Sequence, residues 1–484
     1  MFLGLVLFLS PLLAYWMAVR YPDRALTIFP NFKYHPLRIH YERERLRVNP
    51  LVQFDPQRLY TLELWDVRWP IFWHEYFQYE EFLVYTLEGF FERHPNVSVH
   101  ITLFSPEDYL TALRTALSEG NLPDVYVGPI LPELLESGRV IAVDAFLTPE
   151  DRALYDTRTL DVISSKRGVI GFPRTIGVYG WLANAEIMKR VGMNPDITVS
   201  DGWTWNDFHT FAGKVKEAGL TPLALDNFRG GVTAVKHLCM QTDEGLGEDL
   251  YTENGEHPSL PRLTEAGLGT TLEFLDGLRK AGYLPDPVKN MYKRMIPGFW
   301  NGQIAVIGPC GPGMTRHVLE RMERLGAGKE GGAPAAKGST NVTPVLVPIP
   351  ARRLGDARTP FEVTVAVPLD PGGQSDKAPP DLGHARLAVE LARFLSQADV
   401  AWVAYKLGEI PAYLPERQRW EALVPSWLLH SMKALLGRVI PPEEGPPGVM
   451  GQALTEEALR DQMEPILEEF WEGGVGSAQR EQTP

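Results

Sequence analysis

Hydrophobic and polar positions follow a regular order in the first third of the chain. Residues 60–64 alternate between apolar and polar side chains, which predicts a half-buried strand, and apolar positions recur at helical spacing over residues 80–93. A second alternating segment covers residues 97–103, a second helical pattern covers 109–117, and residues 125–127 form a third apolar run. Strand, helix, strand, helix and strand in this order predict a parallel sheet with right-handed crossovers, and therefore an α/β fold.

The parallel sheet suggests where a ligand binds, because ligands of open α/β sheets lie beyond the carboxyl ends of the strands. Trp65, Asp66 and Trp69 follow the first strand and are therefore candidate ligand-binding residues. Asp124 precedes the third strand and is a further candidate. An acid at a strand start also orders turns, so for Asp124 the structural interpretation is equally good.

Composition excludes several classes of function. The net charge of -14 and the absence of a basic stripe argue against nucleic acid as a partner. The only two cysteines, Cys239 and Cys310, have neither a metal-ligand spacing nor a disulfide framework, and a single bridge between them stays open. The sequence therefore predicts no metal site and no cofactor.

Catalytic motifs are also absent from the sequence. The chain has no G-x-S-x-G, no Walker A and no G-x-G-x-x-G sequence, and His74-Glu75 lacks the second histidine of a zinc-protease motif. Cys310, in the sequence GPCGPG, has no histidine partner identified by a motif, which favours a structural or pocket-lining cysteine. We therefore expect a binding protein with no catalytic residues.

A well-marked helix closes the segment from Trp181 to Gly219. Thr204 is a candidate N-cap with Asp207 three residues later, apolar residues follow at helical spacing, and Gly219 ends the helix. Before it come an Asn-bearing strand end, a short helix and a Pro-containing loop. This order resembles the "YN…F…G…P.TW.E" region of extracellular solute-binding proteins that serve ABC importers for sugars.

Further segments resemble the same family in the same order. They are LPDVYVGPILPELLESGRVIAVDAF, GVIGFPRTIGVYGWLANAEIM, FWNGQIAVIGPCGPGM, ARLAVELARFLSQADVAWVAYKLGEIPAY and, more weakly, the final TEEALRDQMEPILEEFWEGG. The matches run from about Leu59 to Glu481. The chain departs from the family pattern at Ala183, where an aromatic residue is usual, at Cys310, where tryptophan is usual, and over residues 445–452, which lack an aromatic residue.

The resemblance implies a two-lobed fold of the type II periplasmic-binding-protein class, in which each lobe is a β-sheet flanked by helices. Lobe 1 would comprise residues 58–172 and 362–430, and lobe 2 residues 173–361 and 431–484. A protein of this family captures a small ligand between its lobes and delivers it to ABC permease subunits, and here the ligand would be carbohydrate-like. The ligand-binding residues expected on this basis are Trp65, Asp66, Trp69, Asp124, Trp181, Asn184, Asp226, Asn227, Trp300, Cys310 and Glu362.

The amino terminus bears on localisation. Residues 2–19 carry no charged side chain, and neither a basic segment before them nor a small-residue cleavage site after them is visible. We therefore predict a membrane anchor at residues 1–21 and a charged stalk at 22–57. Arginine and lysine residues downstream of the anchor favour a cytoplasmic body, whereas the family resemblance favours an extracytoplasmic one, which is our prediction.

Two alternative functions remain open from the sequence. One is a ligand-sensing binding module of the cell envelope that takes no part in transport. The other, less favoured, is an extracellular carbohydrate-active enzyme, which would need a pair of carboxylates at the bond that it cleaves.

Overall fold

The computed structural model describes residues 46–48, 50–68, 79–106, 108–165, 168–225, 231–242, 264–285, 291–326, 342–370 and 381–439, with the single positions 463, 466, 467 and 470. The chain divides into two compact units. Unit 1 comprises Met1–Arg174, Thr364–Val400 and Ala412–Leu414, and unit 2 comprises Thr175–Val363, Ala401–Pro411 and Pro415–Pro484.

Strands and helices alternate along much of the described chain. The strands are β1 Leu46–Arg47, β2 Tyr60–Val67, β3 Val97–Phe104, β4 Val125–Gly128, β5 Ile141–Ala142, β6 Ser164–Ser165, β7 Gly168–Val169, β8 Phe172–Val178, β9 Gly180–Asn184, β10 Thr221–Leu225, β11 Ile304–Cys310, β12 Pro344–Val347, β13 Phe361–Pro368 and β14 Ile410–Pro411. The helices are α1 Tyr79–Arg93, α2 Tyr109–Glu119, α3 Pro132–Glu136, α4 Pro149–Arg152, α5 Thr157–Val162, α6 Ala185–Arg190, α7 Pro195–Asp201, α8 Trp205–Glu217, α9 Val232–Cys239, α10 Glu265–Lys280, α11 Met291–Trp300, α12 Pro312–Gly326, α13 Leu382–Leu395, α14 Val400–Leu407, α15 Leu414–Glu421 and α16 Ser426–Leu436.

In unit 1 the predicted parallel sheet is confirmed. Strand β2 pairs in parallel with β3 along its full length and with β4 through Leu64 and Trp65. Residues 365–368 of β13 then pair antiparallel with β4. The apolar positions Leu62 and Leu64 are fully buried, as their alternation predicts, so the sheet turns one face of β2 into the core.

Unit 2 contains a second sheet, in the strand order β10-β11-β9-β12. Strands β10 and β11 are parallel, whereas β9 is antiparallel to both β11 and β12. Its hydrophobic core joins this sheet to helix α8, through residues that include Trp181, Phe208, Phe211 and Leu223. The α/β class predicted from the sequence is therefore confirmed in both units.

Helix α8 begins as its sequence predicts. The Thr204 side chain accepts a hydrogen bond from the Asp207 backbone, and the Asp207 side chain accepts one from the Thr204 backbone, which completes a capping box. Trp203 and Trp205 donate their indole N–H groups to the carbonyl oxygens of Pro348 and Pro350. These two tryptophans therefore fix the start of the helix against the segment after β12.

The two units divide the chain at positions close to the predicted lobe boundaries, with one difference near residues 401–430. The chain passes from unit 1 to unit 2 after Arg174 and returns after Val363, each within two residues of the predicted position. Residues 401–411 and 415–430 cluster with unit 2, whereas the prediction gives them to lobe 1. Helix α16 explains part of this difference, because it packs against β12 and α7 of unit 2.

The folded part begins earlier than the sequence predicts. Strand β1 pairs with β5, and Val48 and Val52 are buried, so residues 46–48 and 50–57 belong to unit 1 rather than to a stalk. Within the described ranges, no helix combines the length and apolar character needed to cross a membrane. The predicted anchor at residues 1–21 lies outside those ranges.

Candidate functional site

At the carboxyl end of β2, three polar side chains meet in the interior of unit 1. The Tyr79 hydroxyl donates to Oδ2 of Asp66 at 2.6 Å, and Nη1 of Arg174 lies 3.1 Å from the same oxygen and 3.0 Å from the Tyr79 hydroxyl. The backbone N–H of Val67 donates to Oδ1 of Asp66 at 2.7 Å. We call Asp66, Tyr79 and Arg174 the strand-end cluster.

Burial and charge act on the strand-end cluster together. Burial raises the pKa of Asp66 above its usual value, although Arg174 and the hydrogen bonds oppose that shift. Burial also raises the pKa of Tyr79 well above its usual value. For Arg174, burial acts to lower the pKa, but attraction to Tyr79 and Asp66 outweighs it and the pKa is raised. The arginine therefore keeps its charge beside the carboxylate.

An aromatic group surrounds the ends of the same parallel strands. The half-buried Trp65 meets Phe104 edge-on, with 4.7 Å between ring centroids, and Tyr109 stacks on Tyr126 at 5.2 Å. A Cβ at Gly128 would stand 1.7 Å from the Tyr109 hydroxyl oxygen, so only glycine leaves room for that ring. Trp65 therefore lies near the carboxyl end of β2, in contact with one of these aromatic rings.

In unit 2 an aromatic residue and a carboxylate lie together. The Tyr179 hydroxyl donates to Oε1 of Glu362 at 3.2 Å, and His237 meets the Tyr179 ring edge-on at 4.8 Å between centroids. Tyr179 and Glu362 are both half-buried, so each keeps part of its surface exposed. A Cβ at Gly311 would stand 2.3 Å from the Tyr179 ring, so a glycine is again required beside the tyrosine. We call Tyr179 and Glu362 the tyrosine–glutamate pair.

Several predicted site residues have structural roles. Asp124 is buried at the start of β4, where Oδ2 accepts the Glu63 N–H at 2.8 Å and Oδ1 lies 2.6 Å from Nε2 of His384. Asp124 therefore joins distant parts of unit 1, which is a structural role but not the ordering of a turn that the sequence left open. Asn184 is the N-cap of α6 and accepts hydrogen bonds from the backbone N–H groups of Glu186 and Ile187.

Trp181 also departs from its predicted place on a ligand-facing surface. Its side chain is 1% exposed and packs edge-on against Trp203 and Phe208 in the core of unit 2. A Cβ at Gly308 would stand 2.3 Å from the indole ring, which shows how closely the neighbouring strand approaches. The sequence pattern does not distinguish a core position from a ligand-facing one here, because strand β9 is buried on both of its faces.

The remaining described candidates are also buried. Trp300 is nearly buried, and the guanidinium of Arg321 lies over its ring at 4.8 Å from the centroid. Cys310 is buried beside Thr315, and burial raises the pKa of its thiol to about 12. No disulfide joins Cys239 and Cys310, which answers the question of a bridge between them. Trp69, Asp226 and Asn227 lie outside the described residues.

Sequence reasoning missed three residues of these two groups, namely Tyr79, Arg174 and Tyr179. A signal was present for Arg174, since it is the single charged residue in the otherwise uncharged strand β8. No comparable signal marks Tyr79, which begins helix α1 at a position that predicts only core packing. Among the residues that the structure describes, no group of three His, Cys, Asp or Glu side chains could hold a metal ion.

Comparison with known proteins gives a consistent picture. Residues 73–311 match the family described as bacterial extracellular solute-binding protein. Among the curated proteins, no sequence matches significantly.

Solved structures of similar fold are numerous. The sugar-binding protein MalE from Xanthomonas citri is 17% identical, with a TM-score of 0.61 over 86% of this chain and 92% of that one. A cyclic alpha-maltosyl-1,6-maltose binding protein from Arthrobacter globiformis is 14% identical, with a TM-score of 0.60 over 86% and 94%. A substrate-binding protein from Listeria monocytogenes, in complex with cycloalternan, is 15% identical, with a TM-score of 0.57 over 86% and 94%. At these identities the likeness shows a shared fold.

Proposed function

Since residues 73–311 match the family of bacterial extracellular solute-binding proteins, we propose that the chain is a member of that family, and that it captures a carbohydrate-like ligand outside the cytoplasm and delivers it to an ABC transporter. Its partners are then the ligand and the permease subunits. The body is held at the membrane by the apolar segment at residues 1–21, in the orientation that the family favours.

The observation that carries this proposal is the tyrosine–glutamate pair. Small-ligand sites combine aromatic surface with a few polar groups that fix the orientation of the ligand. A sugar presents apolar ring faces and a rim of hydroxyl groups, which suit a tyrosine ring and a carboxylate that accepts hydrogen bonds. Tyr179 and Glu362 supply these two surfaces side by side, and both keep exposed area.

Two further observations support a saccharide as the ligand. Within unit 1, the half-buried Trp65 lies near the carboxyl end of a strand, where open α/β sheets bind their ligands. The structural neighbours from X. citri, A. globiformis and L. monocytogenes carry names that describe sugars or cyclic saccharides as ligands. Their shared fold makes saccharides the first class to test.

The test is a thermal-shift screen of the full chain with maltotriose, maltoheptaose, isomaltotriose, cyclic oligosaccharides, sorbitol and a tripeptide. We expect at least one saccharide to raise the melting temperature in proportion to the logarithm of its concentration, as binding to the folded state requires. Glu362→Gln should weaken the binding of that saccharide about tenfold, because it removes a charged hydrogen-bond acceptor. Glu217→Gln, an exposed position at the end of α8, is the matched control and should bind as the wild type does.

Other outcomes would overturn the proposal. Stabilisation by the tripeptide but by no saccharide would assign a different ligand class. Release of smaller sugars from a bound oligosaccharide, followed by chromatography, would establish the carbohydrate-active enzyme instead.

A further inference from the structure

A short loop of unit 2, between strands β12 and β13, concentrates positive charge. Residues 352–358 read RRLGDAR, so the loop carries three arginines and one aspartate in a chain whose net charge is -14. Residues 352–355 are all exposed to solvent, and Leu354 is 53% exposed. We call residues 352–358 the arginine loop.

Hydrogen bonds fix both ends of the arginine loop to one buried residue. The backbone N–H of Arg352 donates to the backbone carbonyl of Gln241 at 2.9 Å. At the other end, the Arg358 N–H donates to Oε1 of Gln241 at 3.0 Å, and Nε2 of Gln241 donates to the Arg358 carbonyl at 2.9 Å. A short 3-10 helix, Leu354–Asp356, forms the tip. The loop therefore presents its exposed residues in a fixed arrangement, which lowers the entropy cost of binding a partner.

Neighbouring side chains extend the surface of the arginine loop. A Cβ at Gly202 would stand 3.6 Å from the guanidinium carbon of Arg438 and 3.8 Å from Cδ2 of Leu354, so these two side chains lie side by side. Hydrogen bonds to carbonyl oxygens near the end of helix α7 hold Arg438 in place. Ile197, on the same helix, is 55% exposed. Arginine and exposed aliphatic side chains therefore lie together on this side of unit 2.

The charge and size of this surface indicate what it binds. The arginine loop and Arg438 supply four positive charges against two negative ones, from Asp201 and Asp356. An anionic partner is therefore attracted to this face more strongly than to the rest of a net acidic chain. A stable protein interface takes about 20–30 residues on each side, which is more than the loop and its neighbours offer. A membrane surface suits a small patch, because aliphatic side chains enter the headgroup region while arginines attract anionic lipids.

We propose that the arginine loop binds the surface of a membrane that contains anionic phospholipids, with Leu354 inserted among the lipids and Arg352 and Arg353 paired with phosphate groups. This contact goes beyond the proposed function, because it involves neither the saccharide nor the tyrosine–glutamate pair. It adds a second membrane contact to the one that the proposed function gives to residues 1–21.

A fluorophore at the tip of the loop tests for insertion. Cys239 and Cys310 are buried, and burial raises the pKa of each thiol to about 12, so Leu354→Cys introduces the thiol that reacts in the folded protein. This thiol is labelled with NBD, whose emission moves to shorter wavelength in an apolar environment. Glu217→Cys, at an exposed position at the end of α8, carries the control label. The labelled full chain is reconstituted with vesicles of phosphatidylcholine, either alone or with an equal part of phosphatidylglycerol.

The label at position 354 should respond to the anionic lipid. With phosphatidylglycerol its emission should move to shorter wavelength, and lipids that carry a nitroxide on the acyl chain should quench it. Salt at about 1 M should reverse both effects, because the Debye length then falls to about 3 Å. The label at position 217 should not respond.

Charge variants test the arginines themselves. Arg352→Gln combined with Arg353→Gln should lower the ratio of inserted to free loop about 25-fold, since each basic residue near an anionic surface contributes about fivefold. Lys214→Gln combined with Lys216→Gln is the matched control, because it makes the same change of charge at exposed positions near the end of α8. It should leave the ratio unchanged.

Several results would overturn the inference. One is a label at position 354 that stays in water with phosphatidylglycerol vesicles, and another is insertion that the arginine substitutions do not change. A response to soluble poly-L-glutamate as large as the response to vesicles would assign the loop to an acidic polypeptide instead. None of these results affects the saccharide screen, so the proposed function stands or fails separately.

Discussion

Gly177 lies so close to Glu362 that a Cβ at position 177 would stand 2.8 Å from both Cγ and Oε1 of the glutamate. The same Cβ would stand 2.7 Å from Cγ of Pro312, at the start of helix α12. The glycine therefore provides the space in which Glu362 reaches the Tyr179 hydroxyl.

Gly177→Ala should displace Glu362 from Tyr179 and weaken saccharide binding. Overpacking of this kind costs about 1–3 kcal/mol of stability, so the urea midpoint should also fall. Gly269→Ala is the matched control, because a Cβ there meets nothing within 4 Å and the position lies in the interior of helix α10. It should raise the stability by up to about 1 kcal/mol and leave binding unchanged. Unaltered saccharide affinity in Gly177→Ala would contradict the role given to Glu362.

Trp181→Ala should destabilise the protein strongly, because the indole fills the core of unit 2 between Trp203 and Phe208. Removing a buried tryptophan costs about 3–5 kcal/mol, and Trp181→Phe should cost less because it keeps an aromatic ring. The measurement is urea unfolding followed by circular dichroism. With the fold intact, Trp181→Phe should bind saccharide like the wild type. A loss of affinity larger than tenfold would instead place Trp181 in contact with the ligand, as the sequence predicts.

His384 should make the stability of unit 1 depend on pH. Its hydrogen bond to Asp124 raises the pKa of His384 above the usual value near 6.5. The folded state then holds the proton more tightly than the unfolded state. The extra stability is fully present below the unfolded pKa and is lost as the pH rises through the higher folded pKa.

Urea midpoints measured at intervals from pH 5.5 to 8.5 should therefore decline with rising pH. His384→Gln removes the titrating group. Subtracting the urea midpoint of this variant from that of the wild type at each pH cancels the contribution of the other histidines. That difference should be largest at low pH and should shrink above the folded pKa. A difference that grows with pH would contradict the prediction, because it would mean that Asp124 does not stabilise the protonated form of His384.

The two thiols should be unreactive in the folded protein. Cys239 and Cys310 are buried, and burial raises the pKa of each thiol to about 12. Since the thiolate is the reactive form, both cysteines should resist iodoacetamide at pH 8 and should be alkylated together in urea. Mass spectrometry of the intact chain counts the added groups. Rapid modification of one thiol without urea would mean that its part of unit 2 opens locally.

The parts of the fold that follow from the sequence are those fixed by neighbouring residues. The alternation of residues 60–64 and the capping box of Thr204 and Asp207 depend on local spacing, and both appear in the structure as predicted. The N-cap role of Asn184 also follows from local sequence, since Asn is an ordinary N-cap before a short helix. The family resemblance instead predicts Asn184 at the ligand site.

The strand-end cluster could not be predicted in the same way. Arg174 and Asp66 lie 108 positions apart in the chain, and Arg174 and Tyr79 lie 95 apart. No local pattern says which buried carboxylate an arginine in a later strand will meet. The need for glycine at position 177 could not be predicted either, because the atoms that a Cβ would meet there belong to Pro312 and Glu362, far along the chain.

The antiparallel pairing of β4 with β13 has a consequence for how this chain is made. Gly128 pairs with Val365, so a ribosome must add 237 residues after the first partner before the second exists. At about 5–20 residues per second, that interval lasts on the order of 10–50 s. Throughout it the nascent unit 1 carries an unpaired strand edge, which is a surface prone to aggregation. The late arrival of β13 therefore leaves this edge of unit 1 unpaired for about half of the synthesis of the chain, a state that a chaperone or an export channel can hold.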